Sequence, residues 1–168
     1  MSVRKINVIW LQGQGCTGCT VSLTGATHPS LLDILGGFLP QASGIVLQYH
    51  PTIMLPHGEE ALKNLRAAIK GELDPFVLVL EGAIPDEGKA GKMGGFWCMI
   101  GEENGKLMTF NDWLERLAEK AVAIVAVGTC ASYGGIPHGR PNPTGAKGAF
   151  QYFGRDWKSK AGLPVVCV

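Results

Sequence analysis

Ile6-Asn7-Val8-Ile9-Trp10-Leu11-Gln12-Gly13-Gln14-Gly15-Cys16-Thr17-Gly18-Cys19-Thr20 is the stretch on which the fold turns. Its first half is short, β-rich and mostly apolar, and it runs into glycine, which is the pattern of a parallel strand buried on both faces. Cys16 and Cys19 therefore stand just past the carboxyl end of a strand, where the next helix begins. A C-x-x-C pair by itself fits a dithiol switch, half of a zinc site, or half of an iron–sulfur site. Its neighbours must decide between them.

Working outward, helical pieces are expected at 20–27 and 29–38, the second opened by Pro29 and closed by Gly36-Gly37. Ile45-Val46-Leu47-Gln48-Tyr49 is a second strand. A helix is expected over 57–70: Leu62, Leu65, Ala68 and Ile69 form one stripe, Glu59, Glu60, Lys63 and Arg66 the opposite face, and Gly71 the stop. Phe76-Val77-Leu78-Val79-Leu80 is a third strand and leads into Glu81-Gly82-Ala83-Ile84-Pro85. Residues 96–100 and 106–110 read as a surface hairpin, and Asn111 as the cap of a helix over 112–120. Val122-Ala123-Ile124-Val125-Ala126-Val127 is a fourth strand, followed at once by Gly128-Thr129-Cys130. Residues 134–162, rich in Gly, Pro and basic groups, read as a long ordered loop with a short amphipathic piece near 150–157. A loop of that length usually carries function. Residues 163–168 form a fifth strand.

Strands alternating with helices give an α/β fold: a doubly wound parallel sheet of flavodoxin type, as one domain over 1–168. Ligands of such sheets gather beyond the carboxyl ends of the strands. That edge receives Cys16 and Cys19 after the first strand, Glu81 after the third and Cys130 after the fourth. Cys19 and Cys130, far apart in sequence, become expected neighbours in space.

The 15 basic and 14 acidic side chains leave no electrostatic footprint for nucleic acid. The longest apolar runs, near 76–80 and 121–127, are much too short to span a bilayer, so no transmembrane segment is expected. The amino terminus enters the first strand without a secretory h-region or a twin-arginine pair, which leads to the expectation of a cytoplasmic protein, or one that reaches a membrane only through partners. Five cysteines, an odd number, argue against a disulfide framework and for metal or redox chemistry.

Three thiols on glycine-lined turns, with no histidine close by in sequence, suit soft thiolate ligation of iron and sulfide. A zinc site would pair C-x-x-C with a second close pair, and there is none. Dithiol exchange uses only Cys16 and Cys19 and leaves Cys130 without a role. Cys98 and Cys167 read as small hydrophobes, while His28, His50, His57 and His138 sit in turn contexts suited to surface or capping roles. Glu81 is read either as a solvated strand-end carboxylate or as a group buried beside the cysteines. Gly13-x-Gly15 lacks the third glycine of a dinucleotide fingerprint and has cysteines where phosphate would sit, so nucleotide binding is not expected.

The run from Trp10 to Thr20, Glu81-Gly82-Ala83-Ile84-Pro85, Gly128-Thr129-Cys130-Ala131-Ser132-Tyr133-Gly134-Gly135 and Arg140-Pro141-Asn142-Pro143-Thr144-Gly145-Ala146 together resemble the small subunit of nickel–iron hydrogenases. The resemblance implies an electron-transfer subunit with Cys16, Cys19 and Cys130 as ligands of a proximal cluster. It also implies a large subunit carrying the nickel–iron centre as obligate partner, in a heterodimer or a higher oligomer, and a downstream electron acceptor. No residue of this chain would itself be catalytic. The family's fourth ligand follows the last strand, so either it lies beyond Val168, or the cluster is of the three-cysteine 3Fe-4S type rather than 4Fe-4S, or Cys167 substitutes. The family's carboxyl-terminal multi-cluster domain has no counterpart among these residues. Gly18 and Gly135 stand where oxygen-tolerant members carry extra cysteines, and Gly15 where many members have Glu. The competing readings are the related quinone-side subunit of complex I, whose cysteines are adjacent rather than spaced as C-x-x-C, a thiol–disulfide oxidoreductase, and an FMN-binding flavodoxin-like module.

Overall fold

A computed structural model describes residues 5–35 and 44–168. Strand β1 (Ile6–Gln12) forms from the apolar run as expected, and α1 (Gly18–Thr24) begins within the C-x-x-C segment. Helix α2 (Leu31–Leu35) follows, opened by Ser30 and Asp33, whose side chains bond to each other's backbone N–H. The glycine stop expected at 36–37 lies outside the described residues. β2 (Ile45–Tyr49), α3 (Gly58–Lys70) and β3 (Phe76–Glu81) succeed one another, and Gly71 ends α3 in the left-handed conformation at φ 84°.

Between β3 and the next sheet strand the chain inserts α4 (Glu87–Lys92) and an antiparallel hairpin, β4 (Met99–Glu103) with β5 (Lys106–Thr109). Helix α5 (Phe110–Ala118) begins earlier than the sequence suggested. Thr109, not Asn111, is its cap: the Thr109 hydroxyl accepts from Asp112 N–H at 3.1 Å while the Asp112 carboxylate accepts from Thr109 N–H at 2.8 Å. The reciprocal pair satisfies two helix-end donors at once, which a lone Asn111 would not do. Asn111 instead donates to the carbonyl of Pro85 at 3.0 Å.

β6 (Ala123–Val127), α6 (Gly128–Tyr133), α7 (Gly135–His138), α8 (Ala149–Phe153) and β7 (Val166–Cys167) complete the chain. The fifth strand is shorter than expected. Pro164 has no N–H to donate, and Leu163 spends its carbonyl and N–H on Ser159 rather than on a neighbouring strand.

The main sheet is parallel in the order β2-β1-β3-β6-β7, which is the flavodoxin order once the hairpin strands are left out. Ile9, Leu11, Leu78, Leu80, Ile124 and Ala126 point to one face and are sealed by Leu62, Leu65 and Ala68 of α3 and Trp113, Leu114 and Leu117 of α5. Each large side chain so buried contributes about 1.5–3 kcal/mol. The hairpin docks on that layer: Trp113 Nε1 donates to the Ile100 carbonyl at 2.8 Å, and Glu103 lies between Arg66 and Arg116. The alternate residues of β1 and β3, Val8, Trp10 and Val79, face the other way, toward α1 and α2. No described helix is long and apolar enough to cross a membrane.

Candidate iron–sulfur site

The carboxyl edge of the sheet is stitched from its loops. Past β1, Gly13 N–H donates to the Glu81 carbonyl at 2.8 Å, and Gln14 exchanges a pair of backbone bonds with Ala83 at 2.9 and 2.7 Å. Gly82 makes that approach possible, since at φ 81° a Cβ there would lie 2.8 Å from the backbone carbon of Gln14. Lys147 pairs in the same way with Ile84, and Thr144 Oγ1 donates to the Gln14 side-chain oxygen at 2.8 Å. Asn142 closes the remaining loop by accepting from Ala146 N–H at 2.7 Å and donating to its carbonyl, to which His138 Nδ1 also donates at 2.6 Å. The long ordered loop expected over 134–162 is built around α7 and α8 and tied to both earlier turns.

Cys16 lies exposed ahead of α1, Cys19 half-buried in its first turn, and Cys130 half-buried in the first turn of α6. Thr17, between the first two, takes the left-handed conformation at φ 63°, a strained choice for a β-branched residue and one that recurs at functional sites. Gly128, at φ 82°, packs so closely on Cys19 that a Cβ would overlap its sulfur, and a Cβ on Gly135 would lie 2.5 Å from the sulfur of Cys130. Cys16 and Cys130 open on one cavity of about 550 Å³, walled by Gln14, Thr144, Ile136, Pro137 and Pro143. The three rim cysteines are therefore brought together. Cys98 and Cys167 are not: both pack against the hydrophobic core.

Burial first, then the charges of Glu81, Cys130 and Cys16, push the Cys19 thiol up. An iron centre held by the three sulfurs would offset that crowding of negative charge and keep the thiolates deprotonated. Among the described residues no three His, Cys, Asp or Glu side chains close around one point, as a single zinc ion would require. In an iron–sulfur cluster the cysteines bind different irons and need only surround it. Three soft donors around a glycine-lined hollow fit that group.

Beneath the rim lies a polar network that the sequence reading missed apart from Glu81. The Glu81 carboxylate, 3% exposed, accepts from Trp10 Nε1 at 3.0 Å, Gln12 Nε2 at 2.7 Å, Thr20 N–H at 3.0 Å and Thr20 Oγ1 at 2.5 Å. Burial raises its pKa, but the bonds from Thr20, Gln12 and Trp10 prevail and hold it below the usual carboxylate range. His50, expected at the surface, is 1% exposed and stacks near Trp10 with ring centroids 4.9 Å apart. The available signal was periodicity: Trp10 and Gln12 alternate on one face of β1, and Gln12 is in register with Glu81.

Fold and rim together define a flavodoxin-like α/β domain built to present three cysteines at the carboxyl edge of its sheet. The chain belongs to the family described as NADH ubiquinone oxidoreductase, 20 Kd subunit, whose profile matches residues 16–167. Among its relatives, the periplasmic NiFeSe hydrogenase small subunit of Desulfomicrobium baculatum is 41% identical over 155 residues, which are 89% of this chain and 46% of that protein. The hydrogenase-2 small chain of Escherichia coli is 35% identical over 139 residues, 83% of this chain and 33% of that one. The solved actinobacterial-type NiFe-hydrogenase of Ralstonia eutropha superposes with a TM-score of 0.90 at 41% identity, over 99% of this chain and 48% of that chain. The chain thus spans between a third and a half of the length of these relatives.

Proposed function

We propose that this chain is the electron-transfer small subunit of a nickel–iron hydrogenase and that Cys16, Cys19 and Cys130 ligate its proximal iron–sulfur cluster. The observation that carries the reading is the meeting of the turns after β1 and β6, where glycines bring Cys19 against Gly128 and let Cys16 and Cys130 open on one cavity. The hydrogenase relatives support it over the quinone-side reading, and so does the C-x-x-C spacing. When bound, the cluster supplies one-electron storage and transfer.

The chain's own residues hold the sulfurs and set the local field. Ile136, Pro137 and Pro143 give the cavity an apolar wall, and Glu81 keeps an ionised carboxylate close to Cys19. Hydrogen activation belongs to the large subunit. Tyr133 and Ile136, 68% and 92% exposed beside Cys130, offer apolar surface for that partner, and a cluster edge so placed calls for an extensive, obligate interface. The electrons then pass to a downstream acceptor.

The cluster is 4Fe-4S if a fourth ligand is supplied and 3Fe-4S if the three cysteines act alone. β7 runs to this same rim, where Gly128 N–H donates to the Val168 carbonyl at 2.7 Å, while the Cys167 side chain packs toward the core. We therefore favour a ligand beyond Val168 over Cys167. A cytoplasmic location is part of the proposal, although relatives are named periplasmic; fractionation that finds the chain outside the inner membrane overturns it.

The test is anaerobic purification followed by iron and acid-labile sulfide assays and visible spectroscopy. Iron and sulfide in cluster stoichiometry, lost on Cys→Ser exchange at position 16, 19 or 130, support the reading. A colourless protein with a readily oxidised dithiol, or a flavin spectrum, ends it. Co-purification with a larger nickel-containing chain tests the partner.

A further inference from the structure

Thr20 directly follows Cys19, and its hydroxyl is fully committed. Thr52 N–H donates to His50 Nδ1 at 3.2 Å, so the neutral ring carries its proton on Nε2. That Nε2 lies 3.3 Å from Thr20 Oγ1, and Gln12 Nε2 donates to the same oxygen at 3.2 Å. With both acceptor positions of the hydroxyl filled, its hydrogen has one direction left, toward Glu81 Oε2 at 2.5 Å. Thr20 N–H holds the other carboxylate oxygen at 3.0 Å. The first turn of α1 is thereby clamped to the end of β3, and the proton that screens Glu81 is aimed by a residue of β2's carboxyl end.

We propose that His50 is a positioning residue for the cysteine site: by fixing the Thr20 hydroxyl on Glu81, it sets both where Cys19 sits and how much of the Glu81 charge reaches a cluster bound there. This rests on the iron–sulfur reading above. The His50 ring nitrogens bond to Thr20 and Thr52 and to no rim cysteine, so its influence passes through Thr20. Groups at this remove orient the residues that bind a metal and tune it.

The experiment compares the wild-type chain with Thr20→Val, His50→Leu, His50→Gln and Glu81→Gln after anaerobic loading with ferrous iron and sulfide. Loosening the clamp leaves the carboxylate less screened, so in Thr20→Val and His50→Leu the oxidised-to-reduced ratio at a fixed applied potential rises about threefold to tenfold. Removing the charge in Glu81→Gln moves the ratio the opposite way, and His50→Gln, whose amide N–H can replace Nε2–H, stays near wild type. A general packing lesion would not give these opposed signs. In the unloaded chain, His50→Leu speeds hydrogen exchange of the Thr20 amide about tenfold or more, and His50→Gln does not.

A wild-type chain that binds iron and sulfide, with ratios in Thr20→Val and His50→Leu within twofold of its own or shifted in the direction of Glu81→Gln, overturns the positioning role. Unchanged Thr20 exchange in His50→Leu overturns it as well, whether or not the chain binds iron. Failure of the wild-type chain to take up iron and sulfide is instead a failure of the cluster reading.

Discussion

Gly128 lies against the sulfur of Cys19 with no room for a side chain between them, and its backbone at φ 82° is left-handed. This contact joins the turn after β6 to the first turn of α1 and so brings together cysteines from opposite ends of the chain.

Gly128→Ala should therefore fail twice, by backbone strain and by overlap with Cys19. The expected loss is about 1–3 kcal/mol of stability, read as a lowered denaturant midpoint, together with poorer iron uptake on reconstitution. Gly91→Ala, inside α4 with nothing within 4 Å of the new Cβ, should leave both measurements unchanged or slightly improved.

Cys98 and Cys167 pack on the core while the other three cysteines meet at the rim. Cys98→Ala and Cys167→Ala should retain the iron and sulfide content of the wild type, measured per chain after anaerobic loading. Cys16→Ser, Cys19→Ser and Cys130→Ser should each reduce it. Loss of iron in Cys167→Ala would place that residue among the ligands.

Asp112 is held below the usual carboxylate range: burial opposes the charged form, and bonds from Thr109 and Lys106 outweigh it. A folded-state pKa below the unfolded one means that the stabilisation is complete above the unfolded value, about 3.9, and is lost as pH falls through the folded one. Asp112→Asn should cost about 1 kcal/mol at neutral pH. In thermal melts across pH, the gap between variant and wild type should narrow below about pH 3.9.

Trp113 is fully buried under the hairpin and donates to Ile100. Trp113→Ala should destabilise the chain by about 3–5 kcal/mol. Urea unfolding followed by far-UV circular dichroism checks it, and a loss below 1 kcal/mol would mean that the hairpin and α5 pack less tightly than the structure describes.

Much of this protein could be read before its coordinates. The strand β1 and its cysteine turn, the stripe of α3 ending at Gly71, and the strand that delivers Cys130 are signalled by periodicity and glycine placement within a few residues. Boundaries were less legible where two capping schemes compete, as at Thr109 and Asn111, because the decision depends on which hydroxyl reaches which N–H. His50 escaped notice because a histidine beside Pro51 looks like a turn residue. Only the packing of β2 against β1 shows that its ring enters a closed space next to Trp10.

The sequence alone determined the alternation of strand and helix, the parallel sheet and the positions of the thiols, because these depend on side-chain period and on residues adjacent along the backbone. The tertiary structure brought Cys19 against the turn that carries Cys130, as the strand order led one to expect, and it alone decided that Glu81 is buried and ionised and that Thr20 and His50 stand behind Cys19. Those facts depend on contacts between residues dozens of positions apart, where burial and the pairing of polar groups are set by the assembled sheet and not by any local stretch of chain.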